Sequence, residues 1–298
     1  MSQRPIDIRI ADWLIRKAKT YRRKRKEAIA VQQWTSLFGT NKSFVFTLEN
    51  NIKINLYKDS ILCRMIYEGF ENDELIFVQK LLKRGDTFID IGANIGLFSL
   101  YASRQVDGTG AVYAFEPTPE TFERLKANCG LNNTQNIYNQ QTGLSDKKDV
   151  LKLNVSKDGR DGWNTFAANP EGHFAESAMV DVITLDEFIV ERKIDVQKIH
   201  MIKIDVEGWE IPVIKGALKT ISEANNIVMM VEFKDKNYAG AGFKCANLYD
   251  LVVAYGYTWC TYDVENNCLR YDAKRNYYPY TNLFAVKDII DANKRLNS

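Results

Sequence analysis

The chain has 298 residues, 45% hydrophobic and 26% charged, enough for one large domain plus an appendage and too few for three ordinary domains. Aromatic residues at 12% exclude a wholly disordered chain. The net charge of +2 conceals an asymmetry, because residues 1–30 hold ten of the 40 Lys and Arg, and beyond them 30 basic residues face 35 acidic ones. No apolar run reaches the roughly 18–20 residues that span a bilayer, and the N-terminus lacks the apolar core of a secretory signal. Cys63, Cys129, Cys245, Cys260 and Cys268 form no C-x-x-C pair, and His173 and His200 are the only histidines. No metal site is therefore expected. The thiols read as free in a reducing compartment, so the expected location is cytoplasmic.

Residues 1–42 read as a basic helical arm, in which Ile10, Trp13, Leu14, Lys17 and Tyr21 fall near helical spacing. The dense charge from Lys17 to Lys26 suits a solvated helix, or docking of residues 1–30 onto an anionic membrane leaflet or an acidic partner. Residues 43–66 read as strands, with Phe44, Phe46 and Leu48, then Ile52, Ile54 and Leu56, alternating around Asn50-Asn51. Glu71 to Leu82 has helical periodicity and stops at Gly85. Beyond it, strands at Thr87–Ile91, Ala111–Phe115, Asn136–Gln141, Ile199–Ile204 and Ile227–Phe233 alternate with amphipathic segments. That rhythm predicts a mostly parallel sheet with helices on both faces. Residues 149–183 break it with two strands, Val150–Val155 and Ala178–Ile183, joined by a polar loop, an insertion over the sheet's edge. Tyr257–Thr261 and Thr281–Val286 close the sheet. The expected organisation is an arm and hairpin-like cap over residues 1–66 and an α/β domain over residues 67–298.

The segment from Thr87 to Gly96 is a buried strand running into a glycine-spaced turn and then a helix. Gly92 and Gly96 are expected to let the backbone approach a ligand, with Ala93 and Asn94 between them and unpaired helix N–H groups beyond. Glu116 ends the next strand, where an acid accepts from both ribose hydroxyls. The spacing Gly-x-x-x-Gly behind Asp90 lacks the third glycine of a dinucleotide fingerprint. It favours S-adenosylmethionine (SAM) over NAD. At the end of the fourth parallel strand, Lys203 and Asp205 share one face, and Glu207 and Gly208 follow. Ligands bind beyond such strand ends. Lys203 reads equally well as half of a structural ion pair.

These motifs (Asp90–Gly96, Phe115-Glu-Pro117, Gly143–Asp146, Ile202–Gly208 and Lys215-Gly-Ala217) resemble the FkbM-type methyltransferases over roughly residues 67–235. The resemblance implies a seven-stranded class I, Rossmann-like fold of strand order 3-2-1-4-5-7-6, with SAM as methyl donor and S-adenosylhomocysteine as product. It also implies that Asp90 to Gly96 hold the methionine part, Glu116 the ribose, and that Asp146 lies near the adenine. Family members mostly methylate hydroxyl oxygens of sugars and secondary metabolites, and some are associated with peptide amides.

A hydroxyl acceptor needs a base as its oxygen attacks. Asp205, Glu207 and His173 are the candidates, with Lys203 beside them; Trp163, Asn164 and Phe166 form a candidate acceptor wall and Glu232 a further pocket residue. O-methylation of a sugar, glycan or secondary metabolite is the leading expectation. The alternatives are N-methylation of a peptide or protein, with the basic arm as its docking element, and a fold retained for interaction alone. Nucleic acid is a weaker partner, because the body is acidic and the fourth strand lacks the Asn/Asp-Pro-Pro-aromatic signature.

Overall fold

The computed structural model describes Lys17, Tyr21 and residues 25–156, 159, 161–168 and 174–298. Most of the expected arm and His173 lie outside the described residues. After a helix over residues 25–36 (α1), the chain runs β1 (Ser43–Thr47), β2 (Lys53–Tyr57), α2 (Ile61–Tyr67), α3 (Asn72–Leu81), β3 (Thr87–Ile91), α4 (Leu97–Val106), β4 (Ala111–Phe115), α5 (Pro119–Leu131) and β5 (Ile137–Gln140). β6 (Gly143–Leu144) precedes the insertion, which holds β7 (Asp149–Ser156) and β8 (Phe174–Ile183). Then follow α6 (Leu185–Glu191), β9 (Ile199–Ile204), α7 (Glu210–Lys215), α8 (Leu218–Glu223), β10 (Val228–Phe233), α9 (Asp235–Ala239) and α10 (Cys245–Ala254). The chain ends with β11 (Thr258–Asp263), β12 (Cys268–Tyr271), β13 (Thr281–Val286) and α11 (Ile289–Leu296).

The main sheet has the order β12-β11-β13-β10-β9-β3-β4-β5. Counted from β5 this is the expected seven-strand order with one strand, β12, added at the far edge. β3 pairs in parallel with both β4 and β9, and every one of its residues is buried, as a strand covered on both faces requires. β13 runs antiparallel to β10, which brings its first residues to the carboxyl end of the parallel strands. The added strand is covered at its edge: Leu269 N–H donates to Asn293 Oδ1 of α11 at 2.6 Å, and Asn293 Nδ2 donates to Leu269 O at 3.1 Å.

Two apolar layers sandwich the sheet. One gathers Ile89, Ile202, Ile204, Met229 and Val231 with α6, α7, α8 and α10. The other gathers Phe88, Met201 and Met230 with α3 and α4, and it continues into Trp34, Phe38, Ile52, Ile54 and Leu56. The hairpin β1–β2 is therefore packed into the same core as the sheet. Asn128 of α5 ties it down, accepting from Asn55 N–H at 2.8 Å and donating to Ile95 O at 2.8 Å. Residues 61–66, expected as strand, form most of α2 instead. Ser60 caps that helix, its Oγ accepting from Cys63 N–H at 3.0 Å, and such a cap outweighs the β-branched character of Ile61 and Ile66. The insertion has the two expected strands, antiparallel, joined through β8 to β6 in a small sheet of its own. No helix of the described residues is long and apolar enough to cross a membrane.

At the amino end of the parallel strands, Asp86 clamps the C-terminal helix to the sheet. It accepts from Lys83 N–H at 2.7 Å and from Arg295, and lies 3.0 Å from His200 Nδ1. Asp86→Ala removes the carboxylate shared by the half-buried His200 imidazole and the Arg295 guanidinium, which keep only Lys198 O and Leu81 O, and should lower unfolding free energy by about 2 kcal/mol in urea melts. An unchanged midpoint would show that the clamp contributes nothing.

Candidate active site

The turn after β3 is held by its own backbone. Gly92 and Ala93 donate to Phe115 O at 3.0 and 2.9 Å, Asn94 N–H donates to Glu116 Oε2 at 3.0 Å, Ile95 N–H to Asn94 Oδ1 at 2.8 Å, and Gly96 N–H to Ala93 O at 2.9 Å. All five amides of the turn are thus engaged within the protein. The glycines also answer to the protein itself. Gly92 (φ 77°) lies so close to the next loop that a Cβ would sit 1.9 Å from Asp205 O, and at Gly96 (φ 92°) it would meet Leu125 Cδ1 at 2.6 Å.

Glu116 is buried and bridges the two loops at the carboxyl ends of β3 and β4, its second oxygen accepting from Thr118 N–H at 2.8 Å. Its carboxylate is fixed in place while still facing a cavity of about 410 Å³. That volume falls in the usual range for small-molecule sites, roughly 300–1,000 Å³. Of the expected cofactor residues, Gly92, Ala93, Asn94 and Glu116 line the cavity. Asp90 and Gly96 stand behind it, and Asp146 is exposed outside its lining.

Asp90 is fully buried and accepts from Ser99 Oγ at 2.6 Å. Burial raises its carboxyl above the ordinary range, against the pull of Lys203 and Ser99. Lys203, directly across the ladder from Asp90, is 5% exposed. Its Nζ lies 3.3 Å from Asp205 Oδ2, 3.8 Å from Asp90 Oδ1, 3.4 Å from Gly92 O and 5.2 Å from the centre of the Phe98 ring. Burial alone would pull the ammonium down, but Asp205, Asp90 and Glu71 together hold it above its ordinary value. Lys203 is both an ion-pair partner and part of the cavity wall.

Asp205, Glu207 and Glu232 bring one oxygen each within 4.8 Å of one another. Asp205 is the most open of the three. Glu207 has a left-handed backbone (φ 53°) at the tight turn into α7, and a neighbour at Gly208 that has no room for a Cβ beside Asn237 O. Its carboxylate accepts from Asn237 Nδ2 and lies 3.7 Å from Lys234 Nζ. Burial, against the pull of Lys234, pushes it up to about 8. Glu232 also accepts from Asn237 Nδ2, at 3.2 Å, and burial with the nearby Glu207 raises it well above the carboxylate range. Three such oxygens could hold a divalent cation. Lys203, Lys234 and Asn237 already address the same carboxylates, and no metal is assigned to them.

Trp163, Asn164 and Phe166 of the insertion all reach the cavity. Asn164 locks the insertion over it, accepting from Ser156 N–H at 3.0 Å and donating to Thr118 Oγ1 at 3.2 Å. Sequence reasoning passed over the wall made by α2 and the following turn, together with Glu71, Lys234 and Tyr280. Tyr280 closes an aromatic run just before β13. The antiparallel placement of that strand was the available signal.

A seven-strand order with one added edge strand, a carboxylate at the second strand's end and a cleft over the carboxyl ends of the parallel strands define the class I, Rossmann-like methyltransferase fold. Residues 90–258 match the Methyltransferase FkbM domain, more than half of the chain, and the chain belongs to that family. It is similar to Methyltransferase 1 of Beauveria bassiana, at 31% identity over 44% of this chain and 58% of that protein. It is similar to the hexuronic acid methyltransferase AglP of Haloferax volcanii, at 27% identity over 54% of this chain and 62% of that protein. The third relative is the 31-O-demethyl-FK506 methyltransferase FkbM of Streptomyces tacrolimicus, at 30% identity over 45% and 60%. The chain thus spans about three fifths of the length of these curated relatives.

Removing the central cation should cost more than stability clamps elsewhere. Lys203→Met leaves Asp90 buried beside an apolar side chain, and should lower unfolding free energy by about 3–5 kcal/mol. Lys203→Met with Asp90→Leu should recover much of that loss, and a double variant as unstable as the single would refute the pairing.

Proposed function

We propose that the protein is a SAM-dependent methyltransferase that transfers a methyl group to a hydroxyl oxygen of a sugar, glycan or secondary metabolite. The observation that carries this reading is the cluster of Asp205, Glu207 and Glu232 in one cavity with Glu116. Family membership supports it, as do two relatives named for acting on a hexuronic acid and on 31-O-demethyl-FK506. SAM supplies an electrophilic methyl on a sulfonium; the acceptor oxygen's lone pair forms the new C–O bond as the C–S bond breaks, leaving S-adenosylhomocysteine.

The chain's own residues then have separable tasks. Glu116, fixed by the amides of Asn94 and Thr118, accepts hydrogen bonds from the ribose hydroxyls. Gly92, Ala93 and Asn94 wall the methionine end, and Asp90 supports them from beneath through Ser99 and Lys203. Asp205, open to the cavity and paired with Lys203, faces the positive charge of the donor and orients the acceptor. Glu207 takes the hydroxyl proton. A carboxylate raised to about 8 is a stronger base than an exposed one and is still partly ionised at neutral pH. The insertion and α2 exclude water from above. The peptide-directed alternative relied on the basic arm, most of which lies outside the described residues.

Because the base acts only when ionised, kcat/KM should climb as pH rises and level off above about 8. Glu207→Gln should lower kcat by about 10²–10⁴-fold, with S-adenosylhomocysteine affinity by calorimetry nearly unchanged. A variant that retains the wild-type rate and pH limb removes Glu207 from the role of base and transfers it to Asp205. Failure of the wild-type protein to bind either SAM or S-adenosylhomocysteine would refute the whole reading.

A further inference from the structure

The matched family domain begins at residue 90, yet one wall of the cavity is built before it. Leu62, Met65 and Ile66 from α2 and Phe70 from the following turn form an apolar face. This face is pinned to the insertion: Ile61 N–H donates to Gly159 O at 2.7 Å, and a Cβ on Gly159 would sit 2.4 Å from Asp59 O. The polar end of the slot is Glu71. It stands at the N-cap of α3 in a left-handed conformation (φ 58°), a costly geometry for a side-chain-bearing residue. Its side chain makes no capping hydrogen bond and instead lines the cavity, where Tyr280 Oη donates to Glu71 Oε1 at 3.3 Å.

Once Glu71 and Glu207 ionise, above about pH 8, charge around the cavity is unbalanced. Glu71, Asp205, Glu207 and Glu232 line it, against the ammonium groups of Lys203 and Lys234. Another anion entering this space meets uncompensated like charge, and such juxtaposition costs several kcal/mol. An uncharged hydroxylated group finds acceptors at every carboxylate, and an apolar flank finds the α2 face.

We propose that residues 61–71 and Tyr280 form the specificity half of the acceptor site, an apolar slot ending in Glu71 that takes an uncharged hydroxylated acceptor with an apolar flank and rejects anionic acceptors. The proposal rests on the methyltransferase reading above and names the substrate class for that same site. Glu71 acts as the selecting residue: it accepts from an acceptor hydroxyl beside Tyr280 and, once ionised, repels carboxylates. Burial and the neighbouring Asp205 push its own carboxyl up to about 8, so that the repulsion is fully present only above that pH. Among the relatives, AglP is named for a hexuronic acid, an anionic sugar.

The test uses the full chain and three probes below their micelle concentrations, n-octyl glucoside, methyl glucoside and n-octyl glucuronide. Each is titrated by calorimetry at pH 9, where Glu71 is ionised, with and without saturating S-adenosylhomocysteine. The wild-type protein should bind octyl glucoside at least about tenfold more tightly than methyl glucoside, because only the octyl chain is buried on the α2 face. Octyl glucuronide should bind about tenfold more weakly than octyl glucoside. Glu71→Gln should bring the glucuronide close to the glucoside while leaving S-adenosylhomocysteine affinity intact. Met65→Gln should weaken octyl glucoside without changing methyl glucoside. Equal binding of glucoside and glucuronide by the wild type, or no binding of octyl glucoside, overturns the proposal. So does a Glu71→Gln variant that weakens all three probes alike, which marks a structural role. Loss of S-adenosylhomocysteine binding alone, with the probe pattern intact, would instead count against the methyltransferase reading.

Discussion

The site depends on one buried ammonium. Lys203 sits in the middle of the sheet with Asp90 across the ladder and Asp205 two residues ahead on its own face. Taking such a charge out of water costs several kcal/mol unless its partners surround it. Here two carboxylates, the Gly92 carbonyl and the Phe98 ring do so. The arrangement fixes the carboxyl ends of β3 and β9 against each other. Gly92 and the Asp205 carbonyl can then touch at a distance that no Cβ would allow. The loop from Asn94 to Gly96 and the loop from Asp205 to Glu210 inherit their relative positions from that contact.

Crowding of acids follows from the same geometry. Once Asp205 is committed to Lys203, the remaining carboxylates at the strand ends compete for Lys234 and Asn237. Burial then raises Glu207, Glu232 and Glu71 together, and also Glu210, which is pushed up to about 7 although its Oε1 accepts from Val206 and Gly208 N–H. Raised carboxyls are proton acceptors matched to neutral pH. The fold thereby supplies basicity without a histidine among the described cavity residues.

Much of this was legible in the residues. The turn at Asp90–Gly96 and the acid at Glu116 stand at the carboxyl ends of β3 and β4 where periodicity put them, and the run from Lys203 to Gly208 leads out of β9. These are local signals, carried by alternation and by glycines whose backbone angles admit little else. What was not legible depends on pairing across distance. The role of Gly92 and Gly96 as packing glycines follows from Asp205 and Leu125, far away in sequence. The exposed position of Asp146 follows from the small sheet of the insertion. Residues 61–66 were expected to continue the strands, and they form most of α2 behind a Ser60 cap. Glu71 and Tyr280, 209 residues apart, meet because β13 runs antiparallel to β10. No periodicity within either segment announces that encounter.

The most direct test of the account is a crystal structure of the full chain with S-adenosylhomocysteine bound. The account predicts the ribose hydroxyls on the Glu116 carboxylate, the homocysteine end along Gly92–Asn94, and the sulfur facing the space enclosed by Asp205, Glu207 and Glu232. A nucleoside bound away from Glu116, or a sulfur turned away from those three carboxylates, would contradict it.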